Sequence, residues 1–194
     1  AGLYVLYGRR RLGKTTLLRQ FADGKPGVYH LADRSTQTDA IRLLSQSMAH
    51  AYGDPSFASP TYESFGDLFT AFDRLRPPTR TYLILDEYQY LCEVQPALSS
   101  ILQRHWDSTW IQTSLMVVLC GSVLSMMYRE TLARSSPLYG RRTGQWLLGP
   151  MRFHDLGAFY PGRSPLERVR LWALAGGVPR YAEIAASHRD FASA

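Results

Sequence analysis

Residues Gly8-Arg9-Arg10-Arg11-Leu12-Gly13-Lys14-Thr15 spell G-x-x-x-x-G-K-[ST], the Walker A pattern. A short apolar run, Leu3-Tyr4-Val5-Leu6-Tyr7, precedes it. A helix-compatible run, Thr16-Leu17-Leu18-Arg19-Gln20-Phe21-Ala22, follows. Strand, glycine loop and helix are the context in which this pattern carries chemistry. Glycines let successive backbone N–H groups converge on a β-phosphate, because nothing projects from Cα to block the approach. The helix behind the loop adds the positive end of its dipole. Lys14 supplies a mobile charge for the β- and γ-phosphates. Thr15 offers a hydroxyl to Mg²⁺, an ion that keeps most of its ligands as water and phosphate oxygen. The loop's nucleotide-binding set is thus Gly8, Arg11, Leu12, Gly13, Lys14, Thr15 and Thr16. The side chains of Arg9 to Arg11 are expected to point away from the phosphates and are not read as catalytic.

Further along, Thr81-Tyr82-Leu83-Ile84-Leu85 runs without a polar break into Asp86-Glu87. Continuous hydrophobicity predicts a strand buried on both faces, as in a parallel sheet. Four apolar residues followed by Asp-Glu fit Walker B. The chemistry asks for one anion near the metal and a second near the attacking water. Asp86 is expected to hold the Mg²⁺ shell and Glu87 to polarise the water; the plain alternative is an acidic pair ending a strand. Gln89 completes D-E-x-Q and either orients water or sits on the surface. A second apolar strand, Leu115 to Cys120, ends at Gly121-Ser122, where Ser122 is placed to bond the γ-phosphate or the attacking water.

Between these pieces the chain alternates strand and helix patterns. Val28 to Ala32 reads as a strand, and Ile41, Leu44 and Met48 as a helical stripe. Residues 53–61 read as a loop. Phe65, Leu68, Phe69, Phe72 and Leu75 form an aromatic helical stripe stopped by Pro77-Pro78, and Leu98 to Trp106 another helix. Val123 to Ala133 is expected to be helical, and Thr143 to Leu148 to form the last strand. The fold class is therefore α/β: a P-loop NTPase with a mainly parallel sheet flanked by helices. In such sheets ligands sit at the carboxyl ends of the strands, where the glycine loop, Asp86-Glu87 and Gly121-Ser122 all fall.

The 194 residues suit one domain, or one plus part of another, and 45% hydrophobic content suits a globular core. No apolar run approaches a membrane span, and no secretory signal is visible, so no membrane partner and a cytoplasmic location are expected. Entry into a strand almost at once reads as part of a longer protein. Net charge is +6, with Lys only at 14 and 25. That balance permits nucleic-acid contact, but the densest Arg groups, 9–11 and 141–142, make no long basic run. Cys92 and Cys120 have no metal or redox spacing and read as buried reduced thiols.

Several segments together resemble the archaeal-type ATPases, in the signal-transduction branch of AAA-like P-loop NTPases. They are Tyr7 to Leu18 around the glycine loop, Leu85-Asp86-Glu87-Tyr88-Gln89, Cys120-Gly121-Ser122, Pro137-Leu138-Tyr139-Gly140-Arg141-Arg142-Thr143-Gly144, and Ala175-Gly176-Gly177-Val178-Pro179-Arg180-Tyr181. The resemblance runs along nearly the whole chain. It implies binding and hydrolysis of ATP, release of ADP, and an acid-bearing strand between the P-loop strand and its neighbours. Family members usually carry a segment ahead of the first strand that helps hold adenine. Many continue into a winged-helix region and a nuclease-like domain, through which DNA or a protein partner would be met.

The last quarter opens on Ser164-Pro165-Leu166-Glu167, a capping box with Pro at the first helical position. Leu166, Val169, Trp172 and Ala173 follow as an apolar stripe, and Gly176-Gly177 ends the helix. The resemblance implies that Pro179 lies near adenine in a helical lid; the plain reading is a helix terminus. The expected domains are a core over 1–150 and a partial lid over 151–194. Arg141 and Arg142 read either as a surface pair bonding nearby carboxylates or as a phosphate-sensing or trans-acting arginine, Arg142 being the candidate. A homo-oligomer stays open with it. The function this supports is an ATP-hydrolysing conformational switch using Glu87, Lys14, Gln89, Ser122 and Arg142. A nucleotide-gated DNA- or protein-binding module with little turnover is the alternative, and a P-loop kinase of a small molecule a third.

Overall fold

The computed structural model describes residues 1–58 and 61–187. Two expectations run beyond those limits: the 53–61 loop at its last residues but one, and the lid from residue 188 onward.

Five strands form one sheet: β1 (Gly2–Tyr7), β2 (Gly27–Leu31), β3 (Thr81–Asp86), β4 (Leu115–Gly121) and β5 (Gly144–Leu147). Their order is β2-β3-β4-β1-β5, and every pairing is parallel. The chain therefore has the α/β P-loop architecture. The expectation that the acid-bearing strand lies beside the P-loop strand is corrected: β4 stands between β3 and β1. The two central strands are the most apolar. Every residue of β3 is buried, and all of β4 but Met116. Edge strand β5, by contrast, leaves Trp146 and Leu147 exposed. Burial on both faces is what a run without alternation encodes.

Helices cover both faces. On one side α1 (Lys14–Ala22) packs Leu18 against Leu6, Ile84, Val118 and Cys120. On the other lie α2 (Gln37–Tyr52), α3 (Phe65–Leu75), α4 (Tyr88–Val94) and α5 (Leu98–Ser108), over a larger core that includes Leu44, Met48, Phe69, Phe72 and Trp110. Phe69 and Phe72 both meet the Trp110 ring edge to face. Caps match the sequence: Thr36 starts α2 by accepting from Asp39 N, and Ser64 starts α3 by accepting from Asp67 N. The segment expected to be helical from Val123 is split. A short α6 (Leu124–Met127) passes into a π turn over Tyr128–Leu132, closed by Ala133 N bonding Tyr128 O at 2.7 Å.

Beyond β5, α7 (Pro165–Ala175) and α8 (Pro179–Ser187) pack on each other around Leu171, Ala175, Ala182 and Ala185, a cluster separate from the sheet core. The Ser164–Glu167 capping box is present. The expected apolar stripe packs only in part: Leu166 and Val169 are exposed, Trp172 packs on the cluster, and the fully buried positions are Leu171 and Ala175. A helix packed against one small neighbour buries a narrower face than its sequence offers.

Candidate nucleotide site

The strand register brings the predicted pieces to one sheet edge. Tyr7, the last residue of β1, is level with Gly121 of β4 and Leu147 of β5. On β3, Leu85 is level with Leu119, so Asp86 and Glu87 emerge beside Cys120 and Gly121. The loop Gly8–Gly13 thus leaves the sheet next to Ser122 and across from the acids.

Within the loop, Gly8 (φ 156°) needs to be glycine, because a Cβ there would strike the Leu148 carbonyl. Gly13 (φ 91°) turns the chain into α1. Arg11 takes a left-handed conformation (φ 68°) without being glycine, and its guanidinium bonds the Tyr181 hydroxyl of α8 at 2.8 Å while lying 5.3 Å from that ring's centre. Arg10 bonds the Tyr90 hydroxyl of α4 at 2.8 Å. Arg10 and Arg11 are thus engaged by tyrosine hydroxyls, and both still border the cavity described below. Lys14 is buried, and its ammonium donates to the carbonyls of Gly8 (2.7 Å) and Arg9 (3.0 Å). Its charge is thereby held against the loop's own backbone.

The acids are fixed differently. Asp86 is fully buried. Its Oδ1 accepts from Glu87 N at 3.0 Å, and its Oδ2 accepts from Thr15 Oγ1 at 2.7 Å and from Tyr29 Oη at 2.8 Å. Burial, reinforced by this carboxylate, pushes the neighbouring Tyr29 and Cys120 protons well above their ordinary range, so both groups stay neutral. Glu87 begins α4 in a left-handed conformation (φ 55°, ψ 41°). A non-glycine residue held there costs about 1–2 kcal/mol. The turn sends its carboxylate back toward β4, where Oε2 accepts from Ser122 Oγ at 2.8 Å and from Gln89 Nε2. Gln89 is wholly buried, and its Oε1 has no protein partner. Gly121 makes room for it: a Cβ at 121 would collide with Gln89 Oε1 and with the Met127 side chain.

A cavity of about 390 Å³ joins the parts. Gly13, Lys14, Thr15, Thr16 and Glu87 line it from the core, and Pro179, Arg180 and Glu183 from α8. A second, of about 470 Å³, lies on the far side of Arg10 and Arg11, walled by Leu12, Pro150, Gly176, Val178 and Tyr181. Both are in the size range of small-ligand sites. Within the segment that follows Pro150, Met151 N bonds Gly177 O at 2.8 Å. Gly177 (φ 75°) has no room for a Cβ beside the Met151 carbonyl.

Chain-wide comparisons agree with this geometry. Residues 1–183 match the model of an ATPase domain found predominantly in Archaea. The chain belongs to that family. It is 30% identical over 179 residues to an uncharacterized protein of Methanocaldococcus jannaschii, MJECL04, covering 92% of this chain and 38% of that one. This ATPase domain thus spans well under half the length of that relative. Among solved structures, the Walker-type ATPase of Pyrococcus abyssi superposes with a TM-score of 0.74 at 22% identity, over 95% of this chain and 61% of that one. The ORC1 protein of Aeropyrum pernix, solved in complex with DNA, gives 0.59 at 20% identity, over 97% and 56%. At these identities the likeness is one of fold. The domain is a P-loop NTPase of the nucleotide-binding kind.

One expected member of the site stands apart. Arg142 lies two residues before Gly144, which is level with Tyr4 at the amino ends of the strands. Six residues at ~3.3 Å each separate it from Leu148, beside the loop, so it lies about 20 Å from its own phosphate side. There it bonds Gln145 and the Leu132 carbonyl and stacks on Tyr139. Arg141 takes the plain role of a surface pair, with two 2.7 Å bonds to Asp107. The direction of a parallel strand, which the motif spelling did not register, decides this. Conversely, Tyr29, Arg180 and Tyr181 enter the site without having been singled out. Arg180 directly follows Pro179, and that adjacency was the available signal.

Proposed function

We propose that this domain binds ATP with Mg²⁺ and hydrolyses it slowly to ADP and phosphate, using the exchange to move the α7–α8 lid against the sheet edge. The observation that carries the reading is that one cavity is lined by Lys14, Thr15 and Glu87 from the core and by Pro179 and Arg180 from the lid. Hydrolysis needs a cation for the phosphates, a metal site and a base for water; coupling needs a moving part that feels the γ-phosphate. All four sit around the same space.

The residues suit Mg²⁺. A hydroxyl and a buried carboxylate 2.7 Å apart form a small, hard oxygen pair. Among the described residues no cluster of three or more His, Cys, Asp or Glu could hold an ion by itself, which suits a metal completed by water and phosphate oxygens. When bound, the ion neutralises charge on the β- and γ-phosphate oxygens. Thr15 can donate its proton to Asp86 and still offer a lone pair. Lys14 would leave the Gly8 and Arg9 carbonyls for phosphate oxygens, and Arg180 would leave Glu183, its 3.1 Å partner, for the terminal phosphate. Glu87 would accept the proton of the attacking water, with Ser122 and Gln89 orienting it. The phosphates would occupy the smaller cavity and adenine the larger, beside Tyr181; Pro179, expected near adenine, lines the smaller cavity instead. On this reading residues 1–150 are the core and the segment from 151 is the lid.

The alternative, a nucleotide-gated binding module with little turnover, draws on one observation. Glu87 Oε2 is already engaged by both Ser122 and Gln89, so the base is occupied until something displaces them. Single-turnover hydrolysis alongside protease digestion separates the two. Turnover over many cycles, with ATP and ADP giving different cleavage patterns near Gly176-Gly177, supports the switch. Tight ATP binding with no product after one enzyme equivalent supports the gate. Arg142 faces away from its own site, so a role in hydrolysis would require a second copy of the chain.

A further inference from the structure

Asp86 is held by a residue that neither motif contains. Tyr29 lies on β2, with two strands between it and β1. It is level with Ile84, and Asp86 is the next residue on the same face of β3, so the ring and the carboxylate are diagonal neighbours. The Tyr29 hydroxyl donates to Oδ2 at 2.8 Å, sharing that oxygen with Thr15. Arg19 of α1 lies 5.6 Å from the centre of the Tyr29 ring. Tyr29 thus ties three elements together: α1, which carries Thr15; β3, which carries Asp86; and β2, which carries neither.

From this geometry we infer that Tyr29 is a positioning residue for the magnesium site, acting through Asp86. The inference rests on the nucleotide reading above. A carboxylate at a strand end has two rotamer wells open to it unless both oxygens are held. Oδ1 accepts from the backbone N–H of Glu87, its immediate neighbour, which turns with the chain. Thr15 is to share its oxygen with a metal, so its bond to Asp86 cannot by itself fix the carboxylate as the ligand set forms. Tyr29 has no such second duty. It saturates Oδ2 alongside Thr15 and leaves acceptor capacity on Oδ1 for a metal-bound water. Partners of this kind, which hold a ligating group without touching the metal, typically change metal affinity by about 10–100-fold when removed.

The test substitutes Tyr29→Phe, which keeps the ring between Arg19 and β3 and removes the hydroxyl alone. A fluorescent ATP analogue is titrated against the full chain in EDTA and over a Mg²⁺ series, and turnover is followed separately. The expected result is an unchanged affinity in EDTA, with the Mg²⁺ concentration that half-saturates the metal-dependent tightening raised about tenfold. Asp86→Asn should raise it too, and Tyr29→Phe added to Asp86→Asn should change nothing further. A Tyr29→Phe protein with the parent's Mg²⁺ dependence overturns the inference, as does full additivity with Asp86→Asn. If the unsubstituted chain shows no Mg²⁺-dependent tightening at all, the nucleotide–metal reading fails first, and the two failures are told apart.

Discussion

Gly121 should be replaceable in the sheet but not in the site. Its backbone is an ordinary strand continuation, level with Tyr7, so the substitution Gly121→Ala costs nothing in dihedral terms. What it lacks is space. A Cβ would come within 2.7 Å of Met127 Cγ and closer still to Met127 Sδ and Gln89 Oε1. Carbon atoms in contact sit about 3.5–4.0 Å apart, so these side chains must retreat by about 1 Å. Met127 is flexible and can do so, at the ~1–3 kcal/mol of an overpacked core. Gln89 cannot retreat and keep its amide on Glu87 and Ser122, which it reaches through Nε2. Loss of a hydrogen bond to a carboxylate is worth about 1.5–3 kcal/mol. If Gln89 orients the attacking water, that energy appears in the barrier as a drop in kcat of about 10–100-fold. The loop is untouched, so ATP affinity should stay within about twofold. Thermal unfolding should show a loss of a few degrees for each kcal/mol. The assay pairs steady-state phosphate release with nucleotide titration and a melting curve. A Gly121→Ala protein that is less stable yet turns over at the parent rate would refute the reasoning about Gln89.

Other outcomes follow from the same geometry. Lys14→Ala should abolish measurable ATP binding in a nucleotide titration, because the loop's one buried ammonium is lost. His30, buried beside Ser47, has its ring held down to about 4 by burial, against an ordinary value near 6.5. A histidine neutral in the fold and protonated in the unfolded chain contributes stability that is whole above pH 6.5 and drains away as pH falls toward 4. The loss, of order 3 kcal/mol, should flatten in His30→Gln when denaturant midpoints are compared across that window. Arg141→Ala removes a surface pair with Asp107 and the bonds to the Pro137 and Tyr139 carbonyls; it should cost about 1 kcal/mol and leave turnover unchanged.

Residues close in sequence carried most of what could be read in advance. The loop, the strand-ending Asp86-Glu87 and Gly121-Ser122 are each local spellings with a fixed place on a strand end, and the register brings them together. The Ser164–Glu167 capping box and the aromatic stripe of α3 are likewise local. What escaped was relational. Strand order depends on which strands pair, which no single strand spells out, and β4 took the place beside β1 that β3 had been given. Tyr29 meets Asp86 across 57 positions of sequence, through a diagonal that exists only once β2 and β3 are paired. Arg142 looked like a site residue because it stands in a recognisable segment, yet that segment enters β5 from the far end. The α7 stripe is apolar in sequence, but only Leu171 and Ala175 find full cover in its small neighbour.

The central claim is that Glu87 activates water over a nucleotide held by the loop. Glu87→Gln keeps the side chain's size and its place beside Ser122 but removes the proton acceptor. Nucleotide titration and multiple-turnover phosphate release on this one variant test the claim directly. ATP affinity should stay within a few-fold of the parent, and the turnover rate should fall by at least about 100-fold. Parental turnover in Glu87→Gln would contradict the claim.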